Sequence, residues 1–247
     1  MKKYLLVLFL LMSFSLAYGN TEPIMITISN TMKDVVFDGK WTTQSEWKSS
    51  SWNELKAGDS IVQLRTAHQE DFIYVMVDYV TDTSIDTTSD KAVVCLTDKN
   101  GDDINGDFCF VAYLGSVAGQ IYTIEPANGS LKILDLAVEE FVAVGGVSDD
   151  NDRYSDIPHT GYEFKIPTDL VGRSDSYGFF ISVYDSASDV FFTWPYIQGG
   201  NNSLGVVPQD MWGQIISPDK SLPEFDLPLL ILLPSLALVF YLTRNKS

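Results

Sequence analysis

Twelve residues near the middle of the chain, Thr97–Phe108 (TDKNGDDINGDF), hold four aspartates and two asparagines. Asp98, Asn100 and Asp102 stand at spacing i, i+2, i+4, which lets alternate residues of a tight turn aim oxygens at one point. Calcium takes such hard oxygen donors, whereas zinc prefers nitrogen and sulfur. The helix–loop–helix calcium loop would need a glycine at its sixth position and a glutamate at its twelfth. Asp103 and Cys109 stand there instead. Apolar runs flank the segment, AVVCL before and FCFVAYL after, so it reads as a hairpin tip. Asp98, Asn100, Asp102 and Asp107 are its predicted calcium ligands. The competing reading is a solvated turn, because turns favour the same residue types.

Cys95 and Cys109 are equidistant from Asp102. A hairpin in that register pairs Val94 with Phe110 and Leu96 with Phe108. It turns the apolar residues to one face and the cysteines to the other. In an oxidising compartment such a pair forms a disulfide. Closing a loop of about 15 residues stabilises by roughly 3 kcal/mol in the chain-entropy picture.

Five tryptophans, at 41, 47, 52, 194 and 212, offer flat faces for stacking on sugar rings. Trp194 stands near YIQGGNNS, so Gln198, Asn201 and Asn202 are polar neighbours, and it is the preferred sugar-stacking candidate. The competing fate is core packing. There are two histidines, His68 and His159, which gives little support to a histidine-rich zinc site or a catalytic triad. His68 with Met76, or either alone, could serve as an axial haem ligand, but no Cys-x-x-Cys-His attachment motif exists, so haem is not expected. Asn128 and Asn201 begin glycosylation sequons.

These residues need elements to position them, and the elements read as strands. Candidates are 60–68, 72–80, 91–98, 107–115, 119–126, 140–148, 160–167, 177–185 and 190–195, most of them separated by Gly, Asn, Asp, Ser or Pro. In TGYEFKIP, Tyr162, Phe164 and Ile166 share one face. Regular short strands with turn signals predict a sandwich or barrel. Helix is expected only in short pieces near 43–56 and 168–171.

The ends set the compartment. Lys2 and Lys3 precede an apolar run, Tyr4–Ala17, and then a small-residue step, the layout of a secretory signal peptide. Leu227–Leu242 is apolar throughout and is followed by Arg244 and Lys246, which predicts a membrane helix with its tail in the cytoplasm. The chain carries 33 acidic against 16 basic residues, a net charge of −17, and every acidic residue lies between the two apolar ends. Such a surface repels nucleic acid and suits cations or neutral ligands.

Several segments resemble a known family. VVFDGKWTTQSEW (35–47) looks like the opening of family 9 carbohydrate-binding modules. LRTAHQEDFIYVMVDYVTDTS (64–84) resembles their central hairpin, and KAVVCLTDKN (91–100) the strand after it. FTWP (192–195) and PQDMWGQIIS (208–217) resemble the closing strands. The resemblance implies an antiparallel β-sandwich of jelly-roll or DOMON-like type. Relatives of that fold bind sugars, bind haem, or have no known ligand. His68 stands where the resemblance leads one to expect an aromatic before a hairpin turn, and it joins Trp194, Gln198 and Asn201 in the candidate sugar site. LPEFD, ahead of the last apolar run, resembles the Pro-Glu-Phe sorting signals of archaeal surface proteins, which would exchange the helix for another anchor.

The expected organisation is a signal peptide (1–19), a lead-in (20–34), the sandwich (35–217), a linker (218–226), a membrane or sorting helix (227–242) and a cytoplasmic tail (243–247). The expected function is non-catalytic binding of glycans at the extracellular face of the membrane, with calcium as the expected ion. The alternatives are a haem or redox domain of DOMON type and a structural envelope protein with no small ligand.

Overall fold

β-branched and aromatic residues dominate the runs between turn signals, and such residues fit a pleated surface buried on one or both faces. The computed structural model describes residues 22–97, 107–125, 129–135, 138–197 and 202–217. Among these it forms strands β1 (Ile24–Met25), β2 (Thr27–Ile28), β3 (Ser51–Ala57), β4 (Ser60–Gln69), β5 (Phe72–Tyr79), β6 (Lys91–Leu96) and β7 (Asp107–Tyr113). The series continues with β8 (Gln120–Ile124), β9 (Leu131–Ile133), β10 (Val142–Val147), β11 (Thr160–Pro167), β12 (Ser176–Asp185), β13 (Val190–Trp194) and β14 (Gly213–Ile216). A single-turn helix, Thr168–Val171, follows β11.

The strands make two sheets. One runs β1-β14-β12-β6-β7-β8-β9, with β13 also on β12; the other runs β10-β11-β5-β4-β2, with β3 also on β4. Between them lies the main core, with Val62, Leu64, Val75 and Val77 from the second sheet and Val94, Phe110, Phe179 and Ile181 from the first. The chain is therefore all-β and consistent with a sandwich. It departs from the purely antiparallel expectation at two edges, where β1 pairs parallel with β14 and β2 parallel with β4. One short lead-in makes both pairings, crossing from the first sheet to the second within five residues, Ile24–Ile28.

Each sheet is also covered on its outer face. Val93, Cys95, Cys109, Val111 and Phe180 of the first sheet lie under Leu204, Val206 and Val207. Ala67, Tyr74 and Met76 of the second lie under Met32, Val35, Trp41 and Trp47. Burial on both faces explains why most strands read as continuous apolar runs, with clean alternation only in places.

The helix expected near 43–56 is not formed. Residues 44–49 are turns, and β3 occupies the second half, pairing along β4 from Ser51↔Thr66 to Ala57↔Ser60. Among the described residues no helix is long and apolar enough to cross a membrane. Residues 1–19 and 218–247 lie outside the described residues.

The β6–β7 register puts Cys95 opposite Cys109, Val94 opposite Phe110 and Leu96 opposite Phe108. A disulfide joins the two cysteines on the outer face, across a sequence separation of 14. With about 3 kcal/mol at stake, reduction and alkylation should lower the melting temperature by roughly 5–10 °C. Differential scanning calorimetry of oxidised and alkylated protein checks this.

A candidate ligand platform on the outer face of the second sheet

Antiparallel register decides which side chains share a face. In the second sheet Trp52, Arg65, Met76 and Glu163 stand opposite one another in turn across β3, β4, β5 and β11. One row along, Glu54, Gln63, Asp78 and Gly161 do the same. Both rows point away from the main core, so the outer face of this sheet is unusually polar. Its cover must satisfy that polarity, since buried charges without partners are costly.

The segment 35–47 supplies part of the answer. Glu163 is fully buried, and its carboxylate accepts hydrogen bonds from the backbone N–H groups of Asp38 (2.9 Å) and Gly39 (2.8 Å) and from Trp47 Nε1 (2.7 Å). The Asp-Gly step is needed because the chain passes against the sheet. Gly39 has φ +79°, and a Cβ on Gly161 or Gly146 would lie 2.4 or 2.2 Å from a carbonyl oxygen of this turn. Buried Glu46 closes the same segment by accepting from the N–H groups of Val36, Thr42 and Thr43.

The other part of the cover is the β10–β11 connection, which carries Asp152, Tyr154 and His159. Lys40 and Asp149 tie the two parts together at 2.6 Å. Arg65 sits among three rings, its guanidinium 5.3 Å from the centre of Trp41, 5.9 Å from Trp52 and 5.8 Å from Tyr154. It donates to Tyr154 Oη at 2.6 Å and to the Ser50 carbonyl at 3.3 Å. Trp52 stacks on Tyr154 with centroids 6.4 Å apart and planes 17° apart. Its Nε1 donates to Gln63 Oε1 (2.7 Å), and Gln63 Nε2 donates to Glu54 Oε2 (3.1 Å). Trp52 is nevertheless 54% exposed. The result is an open indole held by an edge hydrogen bond, backed by a ring and a cation, and flanked by an amide and a carboxylate.

Trp194, the candidate sugar-stacking residue, is 8% exposed. It packs in the main core against Phe179 and over Gly213, whose missing side chain makes room for the indole. Little of its surface is left to face a sugar. His68 lies elsewhere. It bonds Ser217 at 3.0 Å in a pocket that also includes Arg173, Asp175 and Tyr177. Trp194 and His68 thus flank opposite ends of the four-residue β14, roughly 13 Å of strand. Gln198 and Asn201 lie outside the described residues; Asn202 secures its own loop, bonding the backbone of Leu204 and Val206. His68 and Met76 project from opposite faces of one sheet, because His68 pairs with Ile73 while Met76 pairs with Arg65. That arrangement rules the two out as a clamp on one haem.

Asp98, Asn100 and Asp102 of the acidic hairpin tip lie outside the described residues, and Asp107 opens β7. Two other groups of acids were not foreseen. Asp82, Asp90 and Asp185 converge, yet each is engaged locally. Asp82 accepts from Ser84 N and Thr160 Oγ1, Asp90 from Asp86 N and Ser186 N, and Asp185 from Ala187 N and Ser188 N. Burial, aided by its acidic neighbours, pushes the Asp82 carboxyl up to about 6. Asp78, Asp152 and His159 converge on the outer face beside Gln63. Burial raises the Asp78 carboxyl, and the Asp78 carboxylate raises the His159 imidazole despite the burial that opposes it.

No family model matches the chain, and no curated protein matches it. Solved structures do, two of them as follows. Both are family 9 carbohydrate-binding modules from Caldicellulosiruptor kristjanssonii, one in complex with glucose and one with cellotriose. The first has 12% identity over 79% of this chain and 95% of that one; the second has 14% over 82% and 98%. The TM-score is 0.45 for each.

Burial pushes the Glu163 carboxyl from 4.5 up to about 8, against the three N–H groups that favour its charged form. A raised carboxyl keeps its proton when folded at a pH where the unfolded chain has lost it. Its contribution to stability is full below about pH 4.5 and gone above about pH 8. The melting temperature should therefore fall between these limits, and Glu163→Gln should flatten part of that fall. The variant should also lose about 1–3 kcal/mol, because its amide nitrogen cannot accept where the carboxylate does. Calorimetry of both proteins across pH 4–9 checks the two effects.

Proposed function

We propose that this chain is a non-catalytic glycan-binding module of the outer cell surface, and that Trp52 carries the binding. The observation behind this reading is the open, pre-oriented indole. Of the tryptophans at 41, 47, 52 and 194, only Trp52 is more than a tenth exposed. Aromatic faces with polar groups at their edges are how proteins hold amphipathic rings. A sugar ring laid on Trp52 brings its hydroxyls to Gln63 and Glu54. Fixing Trp52 beforehand, through Gln63 and Tyr154, lowers the ordering cost of binding. The strongly acidic surface suits a neutral ligand of this kind.

The signal peptide at 1–19 and the apolar segment at 227–242 would deliver the domain outside and hold it there, by a membrane helix or by an anchor exchanged for it at LPEFD. Calcium belongs to the proposal at the hairpin tip. It should raise the melting temperature of the wild type, and replacing Asp102 and Asp107 together by Asn should remove the rise.

For the platform, Trp52→Ala should weaken glycan binding at least tenfold, equivalent to about 1.4 kcal/mol of stacking. Trp194→Phe, a change in the core, should leave affinity unchanged in the folded protein. A glycan array that includes glucose and cello-oligosaccharides, followed by titration calorimetry on its best ligand, makes the measurement. Equal affinity of Trp52→Ala and wild type would sink the proposal, as would a silent array.

A further inference from the structure

Asp78, Asp152 and His159 converge with polar atoms to spare, although Asp152 Oδ1 accepts from the N–H groups of Tyr154 and Ser155, and His159 Nδ1 meets Ser148 Oγ and the Ile157 carbonyl. Asp78 is 1% exposed, His159 0%, and the Asp152 side chain 1%. Both Asp78 carboxylate oxygens, Asp152 Oδ2 and His159 Nε2 are buried without a hydrogen-bond partner. His159 Nε2 lies 2.5 Å from Asp78 Oδ1 and 3.8 Å from Asp152 Oδ1, at ion-pair range, yet neither approach completes a hydrogen bond. Beyond that ion pair, Asp78 Oδ2 and Asp152 Oδ2 have neither a hydrogen bond nor an ion-pair contact, and buried polar atoms without partners call for a further group.

The histidine is set up to receive that group. Its Nδ1 lies 2.7 Å from the Ile157 carbonyl oxygen, which can only accept, so Nδ1 carries the proton. In the neutral ring Nε2 then presents a lone pair to the two carboxylates. A backbone carbonyl fixing the far nitrogen is the usual support of a metal-bound histidine. Charge points the same way. Two carboxylates and a neutral imidazole carry −2, and protonating the ring still leaves −1 in a buried site. Arg65, the cation in the adjoining row, directs its donors to Tyr154 and Ser50. A divalent cation makes the three groups neutral.

We infer that Asp78, Asp152 and His159 form a site for a divalent cation of the zinc type. One imidazole nitrogen with two carboxylates is a donor set for zinc and its first-row neighbours, and calcium disfavours nitrogen. Tetrahedral bonds of about 2.1 Å set ligand atoms about 3.4 Å apart. The 2.5 and 3.8 Å separations straddle that value, so sub-ångström shifts would seat the ion. Three protein ligands leave a fourth position to water. The ion would staple the β10–β11 connection to β5. It would thereby hold Tyr154, two residues from Asp152, behind Trp52. That positional role rests on the glycan reading; metal binding itself does not.

The test uses the purified full chain, stripped by chelator and titrated with Zn²⁺ in excess Ca²⁺, which saturates oxygen-only sites. One Zn²⁺ per chain should bind in that background. His159→Ala and Asp152→Asn should each bind it at least 100-fold more weakly, while Trp52→Ala binds it as the wild type does. The melting temperature of wild type should rise with Zn²⁺, and that of Asp152→Asn should not. Circular dichroism of the metal-free variants confirms their fold, and Asp152→Asn, a loop change, serves if His159→Ala does not fold. Absence of Zn²⁺ uptake above the calcium background would overturn the inference. So would undiminished uptake by a folded Asp152→Asn. Either failure leaves the Trp52 result standing, and loss of glycan binding alone leaves the metal result standing.

Discussion

The outer face of the second sheet must be both buried and polar. Gln63, Arg65, Asp78 and Glu163 all point out of the sandwich there, and all four are buried. None can be left unpaired without a penalty of at least 1–3 kcal/mol, and more where charged. The layer over this face is therefore a set of matched partners as well as a hydrophobic lid. The Asp38–Gly39 turn and Trp47 answer Glu163, and Tyr154 answers Arg65. Trp41, Trp47, Met32 and Val35 add apolar cover over Met76 and Tyr74. The proposed binding rests on the same constraint, because Trp52 lies at the rim where this layer ends and is fixed by the groups that finish it.

The first sheet solves its outer face differently. Its residues there are mostly apolar or half-cystine, with buried Ser182 and Thr193 the polar exceptions, and Leu204, Val206 and Val207 pack on the apolar part. Asn202 secures that lid through its own backbone without reaching the sheet. Chemistry is thus concentrated on one side of the molecule. Acids elsewhere, such as Asp82, Asp90 and Asp185, are taken up by hydrogen bonds from turn N–H groups and from Thr160 and Ser186.

Much of the strand framework was legible in the sequence, because apolar runs bounded by Gly, Asn, Asp and Pro have few other readings. The run 160–167 is β11 to the residue. The β6–β7 register followed from two cysteines symmetric about one turn and from which face each neighbour then took. Less legible were the short edge strands. β1 and β2 exist only through parallel pairing with residues far along the chain, which no local pattern records. β3 was masked by a stretch rich in Ser, Trp, Glu and Lys, whose spacing suited a short helix. Pairing with β4 overrode that local preference.

The same override hid the proposed site. Five tryptophans look alike in a sequence, and polar neighbours drew attention to Trp194, whose face is closed by Phe179 and β14. Trp52 stood inside the expected helix, so its place at a sheet edge could not be read. Asp78 and His159 are 81 positions apart and meet because β11 pairs with β5 next to them. The platform can be interrogated by nuclear magnetic resonance of the five indole N–H groups, assigned by single Trp→Phe replacements. The Nε1 groups of Trp47, Trp52 and Trp212 have distinct partners, Glu163, Gln63 and Val207. On titration with cellotriose or the best array ligand, the Trp52 signal should move most and those of Trp47 and Trp194 should stay. Movement centred on Trp194, with Trp52 unmoved, would contradict the account.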